Sequence, residues 1–438
     1  MENKKEEKKI KFKTENIFNF LLSFIILSYF FYGFYLDENS AGAGGYNGDF
    51  RLIWENLTLL KQDIIFNLNS PEYSDSRPPL SYILHIFLNP FIYNEEVFRL
   101  SNLLISSAVP ILLFFSIRQN YPALNSDLLI LLSLTVTLSP YFRTTAYWAL
   151  GENYGIIFLL LSYLTYIKLK RNILSYKNFK IFLLIFFLCL FSSLVVYFDQ
   201  KLVFIPFLIL IYFFNLQIKT KYKIFLLILF FIFSLPYLYL IYLWGSLIPP
   251  SAYEARGVGS SIYLFNPGYC LTILLISIFP FIFIIKLNYK MIKRIIFNKS
   301  FIFILISLLI YLTLIVTLQD FETLRPEGKG AFHKLSIVFF QNIEIRLLIT
   351  IIAFLTSFII VFIVFYEKTD LSVICYFILL SLFTFPFYQE YLDPLMYILI
   401  FSFFKTKFNL NSSGNVYFII LYFLIFSLGS KYYYQITI

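Results

Sequence analysis

TKYKIFLLILFFIFSLPYLYLIYLWG, residues 220–245, decides the class of fold. From Ile224 to Gly245 no side chain carries a charge. A run of that length crosses about 30 Å of hydrocarbon as a helix, the form in which a backbone satisfies its own hydrogen bonds in lipid. Lys219, Lys221 and Lys223 stand at one end, as cations do beside a cytoplasmic face. The pattern recurs along the chain. It predicts an all-α polytopic membrane protein of about 13 spans, near 16–35, 99–118, 126–142, 153–169, 179–198, 202–216, 224–245, 265–286, 300–318, 347–366, 371–387, 394–405 and 414–432. Composition agrees: 59% of the 438 residues are hydrophobic and 14% charged, against about 25% charged in an ordinary soluble domain. So apolar a surface needs lipid as its solvent, which excludes a water-soluble globule.

The formal charge of +10 raises the question of nucleic acid, and the position of the charges answers it. With the amino terminus in the cytoplasm, the inner stretches 1–15, 118–127, 168–180, 219–223, 286–299, 367–370 and 405–407 hold 23 of the 35 Lys and Arg but 7 of the 25 acids. The basic excess is then a determinant of topology, and nucleic acid is excluded as a partner. The expectation is a multi-pass protein of the inner, cytoplasmic membrane whose active face looks outward. The first run follows MENKKEEKKIKFKT without a small-residue cleavage site, so it reads as an anchored helix. Cys189, Cys270 and Cys375 each stand alone in an apolar run, and the two His are far apart, so neither a disulfide framework nor a histidine metal centre is expected.

Chemistry collects in the outer loops 36–98, 143–152, 246–264 and 319–346. In loop 36–98, GAGGYNGDF (42–50 with Ala41) delivers Asp49 to the start of an amphipathic helix over 49–63, with Leu52, Ile53, Leu57 and Leu60 on one side. Taken singly, Asp49 is equally an N-cap on a flexible loop. YSDSRPPLSY (73–82) places Asp75 and Arg77 before a Pro pair that opens a second interfacial helix, Pro79–Phe91. Arg77 reads as a phosphate grip or as a snorkelling side chain. Glu152 stands where an outer loop re-enters the bilayer and needs a basic partner or a function; Arg143 is the nearest base in sequence. Lys201, Arg256, Arg325, Lys329, His333 and Lys334 complete a set of outer cations suited together to phosphate or pyrophosphate, although any one alone reads more readily as a solvated loop charge than as a ligand contact, and His333 as structural.

The order of these features resembles the GT-C class of membrane glycosyltransferases, the superfamily of protein O-mannosyltransferases and lipid A aminoarabinose transferases. Members carry an acidic residue opening a juxtamembrane helix, then a basic-Pro-Pro-Leu-x-Tyr segment, matched by Asp49 and Arg77-Pro78-Pro79-Leu80-Ser81-Tyr82. An Arg-Leu pair opens the next helix, here FRLSNLLISSAVPILLFFSIRQNYP (98–122). A Ser-Pro end and an acid opening the following helix are matched by LSPYFRTTAYWALGENYGIIF (138–158). The match covers roughly 15–205. It departs from the family in having Gly48-Asp49-Phe50 where an Asp-Glu pair is common and Arg77 where Lys is common; the true pair Asp37-Glu38 lies farther from the Pro pair, leaving Asp37 as second choice to Asp49.

The resemblance implies a basic tail over 1–15, a catalytic module over 16–216 and a variable module over 217–438. It implies a sugar donor linked to polyprenyl phosphate and an outer-face lipid, glycan or protein as acceptor. Asp49 would be the general base, and Glu152 would orient the acceptor, the base or an ion. Arg77, Asp75, Tyr82, Lys201, Arg256, His333 and Lys334 would serve the substrate and its phosphate. A divalent metal, if used, would sit on Asp49 and Glu152; the sequence requires none. A flippase of lipid-linked saccharides, or a polymerase or ligase of lipid-linked oligosaccharides, is the alternative.

Overall fold

A computed structural model describes residues 2–41, 45–173, 175–251, 262–285, 299–318, 328–384 and 386–437; Arg256 and Arg325 lie outside the described residues. Among those described the chain is helical, with an isolated bridge between Ile285 and Phe408 as its only extended pairing. It divides into two compact units, residues 1–255 with 420–438, and residues 256–419.

The first unit begins with α1 (Glu2–Tyr35), whose Phe20, Phe24 and Ile25 face outward, as suits a helix solvated by lipid. A π-turn (Tyr46–Phe50) leads into α2 (Arg51–Gln62), then α3 (Ile64–Asn67) and α4 (Leu80–Leu88). The amphipathic reading of this loop holds in detail: Ile53, Leu57 and Leu60 are buried, with Leu52 at the margin, and α2 packs on α4. Helix α5 (Glu95–Ser106) starts where the Asn94 side chain accepts from Glu96 N and Val97 N, and it runs into α6 (Ala108–Asn120). Helix α7 (Ser126–Leu134) and its 3-10 extension to Leu138 turn by 71° into α8 (Pro140–Tyr147), because Pro140 has no N–H to continue the ladder and Ser139 caps the new helix. Then come α9 (Glu152–Asn172), α10 (Asn178–Phe198), α11 (Phe204–Phe214) and α12 (Thr220–Trp244). Helix α10 packs between α9 and α12, α6 against α7 and α9, and α1 against α7.

The second unit is built on α13 (Asn266–Ile282), with α14 (Lys299–Leu318), α15 (Gly330–Phe339), α16 (Ile343–Val364), α17 (Lys368–Leu382), α18 (Leu395–Ile400) and the start of α19 (Ser413–Thr437). Helix α13 packs on α15, α16, α17 and α18.

Among the described residues, six helices are long and apolar enough to cross a membrane, and the bent pair Ser126–Leu138 with Pro140–Tyr147 makes a seventh candidate. They fall on the stretches expected near 16–35, 99–118, 126–142, 179–198, 224–245, 347–366 and 414–432. Stretches 153–169, 202–216, 265–286, 300–318 and 371–387 fall in α9, α11, α13, α14 and α17. The expectation for 394–405 needs correction. There α18 has 6 residues, about 9 Å of rise. The buried Asp370 carboxylate accepts Lys405 N at 2.9 Å and Thr406 N at 2.9 Å, drawing the chain into a turn that a spanning helix would not allow.

Candidate active site

Three local devices in the first unit bring charged groups together. The first is the π-turn. Gly45 takes a φ of 55°, open to glycine, and packs on Trp148, while Phe50 N donates to Gly45 O at 3.2 Å; this carries the half-buried Asp49 into the turn before α2.

The second device is a turn built on Asp75, which is almost wholly buried. Its Oδ1 accepts Arg77 N at 3.1 Å and its Oδ2 accepts the Tyr82 hydroxyl at 2.5 Å. Tyr73 donates to Arg77 O at 3.1 Å, Asn56 of α2 accepts Ser74 N at 3.2 Å, and Gln200 donates to Ser76 O at 3.1 Å. The segment is therefore tied to three elements, and the Arg77 guanidinium is aimed by the backbone that bears it.

The third device is the close approach of α9 to α4. A Cβ on Gly151 would lie 3.3 Å from Ser81, so glycine lets Glu152, the first residue of α9, reach the Arg77 turn. Arg77 Nε is 3.1 Å from Glu152 Oε1, and Nη1 is 3.7 Å from Asp75 Oδ2. Tyr141 of α8 donates to the same Glu152 oxygen at 2.9 Å. Lys201 pairs with Asp199 at 3.1 Å and lies over the Tyr141 ring at 5.6 Å.

Electrostatics make these groups one system. Burial works against the Arg77 charge, and the carboxylates of Asp75, Glu152 and Asp49 outweigh it, holding the guanidinium well above its ordinary value. Burial likewise opposes the Glu152 carboxylate, yet Arg77 and Lys201 keep it below the usual range. Asp199 goes the other way: burial raises it, Glu152 adds to the rise, and Lys201 compensates only in part. Burial and then Asp75 push the Tyr82 phenol well up, so it remains a donor. Two atoms in this cluster are buried without a hydrogen-bond partner, Arg77 Nη1 and Glu152 Oε2. A buried donor or acceptor left open is costly, at about 1–3 kcal/mol each, and a polar ligand reaching it would offset that cost.

Of the residues expected from sequence, Asp49, Asp75, Arg77, Tyr82, Glu152 and Lys201 thus belong to one cluster. His333 and Lys334 belong to the second unit, where the Tyr269 hydroxyl and His333 Nδ1 are 2.9 Å apart. The pairing of Glu152 with Arg143 is overturned. Arg143 is fully buried and makes a two-pronged contact to Glu38, Nε to Oε1 and Nη2 to Oε2 both at 2.8 Å, under the Tyr29 ring at 3.9 Å. Lys431 adds a third contact to Glu38 at 3.2 Å, and Asp37 pairs with Arg99 at 2.5 Å. The Asp37-Glu38 pair is therefore engaged as a clamp between helices. Sequence reading missed Tyr141 and Asp199. The FDQK stretch (198–201) held the trace of one, since an acid two residues before Lys201 can accept its N–H, as Asp199 does at 3.2 Å. Among the described residues no group of three or more His, Cys, Asp or Glu is placed to hold a metal.

No family model, curated protein or solved structure matches this chain.

Proposed function

We propose that this chain is a multi-pass membrane glycosyltransferase that moves a sugar from a polyprenyl-phosphate donor to an acceptor at the outer face. The observation that carries the reading is the Arg77 cluster: a buried guanidinium under the influence of three carboxylates, with Arg77 Nη1 and Glu152 Oε2 still open. In this reading the acceptor hydroxyl oxygen attacks the sugar C1 while Asp49 takes its proton, and the C1–O bond to phosphate breaks on the opposite side, inverting the anomeric centre. The departing phosphate gains charge, which Arg77 stabilises through its open Nη1, with Lys201 next in line. Glu152 keeps Arg77 oriented and offers Oε2 to an acceptor hydroxyl. Asp75 and Tyr82 act as positioning residues, since they hold the backbone that aims Arg77. About twelve crossings of the inner membrane, with α11, α13 and other short helices as partial or tilted spans and without the 394–405 stretch, and an amino terminus in the cytoplasm complete the proposal; the one-sided placement of basic residues supports the orientation.

The test is mass spectrometry of lipid-linked sugars and surface glycans from cells with and without this chain, joined to an assay of the purified protein. Loss of one glycan with accumulation of its lipid-linked donor, and release of polyprenyl phosphate only when donor and acceptor are both present, is the expected result. Translocation of an intact sugar-lipid would instead establish a flippase, and transfer from a sugar nucleotide without lipid would sink the donor assignment.

A further inference from the structure

Positive charge gathers without acids on one face of the first unit. The stretches 168–180 and 219–223 hold eight of the 35 Lys and Arg and no Asp or Glu. Other stretches expected on the same side are closer to balance: Arg118 is followed by Asp127, and Lys368 stands between Glu367 and Asp370. The fold brings the two unbalanced stretches together. Helix α10 packs on α12, and at their starts the Tyr222 hydroxyl donates to Asn178 Oδ1 at 2.6 Å while the Phe182 and Tyr222 rings meet edge to face at 5.1 Å. Lys221 Nζ lies 5.0 Å from the Tyr222 ring and 5.7 Å from the Phe182 ring, so a cation of α12 stands on α10. Lys180 Nζ lies 4.6 Å from the Tyr176 ring in the loop before α10.

Four lysines occupy this junction at positions that helix physics disfavours. Lys177 and Lys219 immediately precede α10 and α12, where Ser, Thr, Asp or Asn would cap the helix, and neither start has a side-chain cap. Lys180 and Lys221 fall in the first turns, where the partial positive charge of the helix end opposes a cation. All four are exposed, and among the described residues none makes an ion pair; the contacts of Lys180 and Lys221 are with rings. Topology would be served by these charges anywhere in the two loops. Their convergence adds a mutual repulsion that a bound anion would relieve.

The surroundings of the lysines say which anion. Helices α10 and α12 are both long and apolar enough to cross a membrane, so their first turns lie at the level of lipid phosphates. Along the same helices outward apolar side chains follow at once, Phe179 at 79% exposed on α10 and Ile224 at 53% on α12. A soluble polyanion would leave that surface bare. A lipid with an anionic head meets both features, its phosphate on the lysines and its acyl chains along the helices.

We propose that Lys177, Lys180, Lys219 and Lys221 form a binding site for the head group of an anionic phospholipid. The inference depends neither on glycosyl transfer nor on which side of the membrane this face looks to.

The test is native mass spectrometry of the full-length protein in detergent with equimolar phosphatidylglycerol and phosphatidylcholine. The expected result is retention of phosphatidylglycerol over phosphatidylcholine by at least about ten-fold, since each lysine near a lipid surface contributes measurably to the attraction. Replacing the four lysines together by Gln should abolish the preference, and replacing them by Arg should keep it. Lys4→Gln, Lys5→Gln, Lys8→Gln and Lys9→Gln together remove the same charge from the amino-terminal tail and should leave the preference intact. Thermal unfolding in the same detergent reports whether each variant is folded. A phosphatidylglycerol with a photoreactive head group, mapped on the unaltered protein, decides the matter if the Gln variant does not fold: attachment within 176–182 or 219–223 is expected, and attachment only elsewhere would overturn the site. Equal retention of the two lipids, a preference kept by a folded Gln variant, or an equal loss in the tail variant would each do the same.

Discussion

Asp49→Asn is the substitution that separates a working carboxylate from a structural one. Three carboxylates act on Arg77, but they are held differently. Asp75 is buried and accepts from Arg77 N and Tyr82 Oη; Asp49 is half-buried on a glycine-bearing turn. Converting Asp49 to Asn keeps shape and removes one partly solvated charge from Arg77, a change worth less than about 1 kcal/mol of stability. As a general base it contributes on the order of 10²–10⁴ in rate, about 3–5 kcal/mol of barrier. The two effects therefore diverge: turnover falls at least about a hundred-fold while the unfolding temperature hardly moves. Asp75→Asn should do the reverse in part, losing about 1–3 kcal/mol of stability as a buried acceptor becomes a donor facing Tyr82. Asp37→Asn should leave turnover within a few-fold, because that carboxylate is engaged by Arg99. The assay is single-turnover release of polyprenyl phosphate from donor extracted with the native membranes, run beside thermal unfolding in the same detergent. Near-full turnover in a folded Asp49→Asn protein refutes the base assignment, and its loss in Asp37→Asn would move the base to the neighbouring acid.

Other consequences can be checked directly. Arg143→Met leaves buried Glu38 with Lys431 as its remaining cation and should lower stability by about 3 kcal/mol, whereas Arg143→Met with Glu38→Gln should recover part of that; strict additivity by chemical denaturation would contradict the clamp. Burial holds His85 near 4, and burial with three cations holds His333 near 3, each down from 6.5. The unfolded chain then binds more protons than the folded one below pH 6.5, so stability present above that pH should decline steadily as pH falls toward 4 and 3; a flat unfolding temperature from pH 7 to 4 would refute it. A membrane-impermeant thiol reagent applied outside should label Asn47→Cys and spare Ser175→Cys, and the opposite outcome would invert the topology.

What the sequence made legible was local. The period of Ile53, Leu57 and Leu60 announced α2, and Asp49, Arg77 and Glu152 stood out because a charge beside lipid must be accounted for, whereas the expected span 126–142 ran straight through Ser139-Pro140, where the helix breaks. Their pairing was not legible. Arg143 is the base nearest Glu152 along the chain, but α8 lies across the end of α1 and its guanidinium meets Tyr29 and Glu38, contacts set by packing over long sequence separation. Residues 394–405 misled for a related reason. Hydropathy reads their apolarity and is blind to the buried Asp370, brought from the start of α17 to take the amides of Lys405 and Thr406.

The two buried arginines differ in what surrounds their carboxylates, and that difference is the ground for assigning one to structure and the other to chemistry. Both oxygens of Glu38 are taken by Arg143, with Lys431 added, and burial of Glu38 is overcome so that its carboxyl lies below the usual range. Arg143 Nη1 is open as Arg77 Nη1 is, but Glu38 has neither oxygen left for a ligand hydroxyl, and removing one partner of the pair leaves a poorly compensated charge. Glu152 shares a single oxygen between Arg77 and Tyr141, and its other oxygen and Arg77 Nη1 remain unsatisfied. An open buried pair is a standing penalty in the resting protein that a substrate hydroxyl and a phosphate oxygen would remove together. In the proposed reading, binding energy would arise there because the protein has left its own polar groups incomplete, in the same cluster as Asp49, the carboxylate that is not fully sequestered.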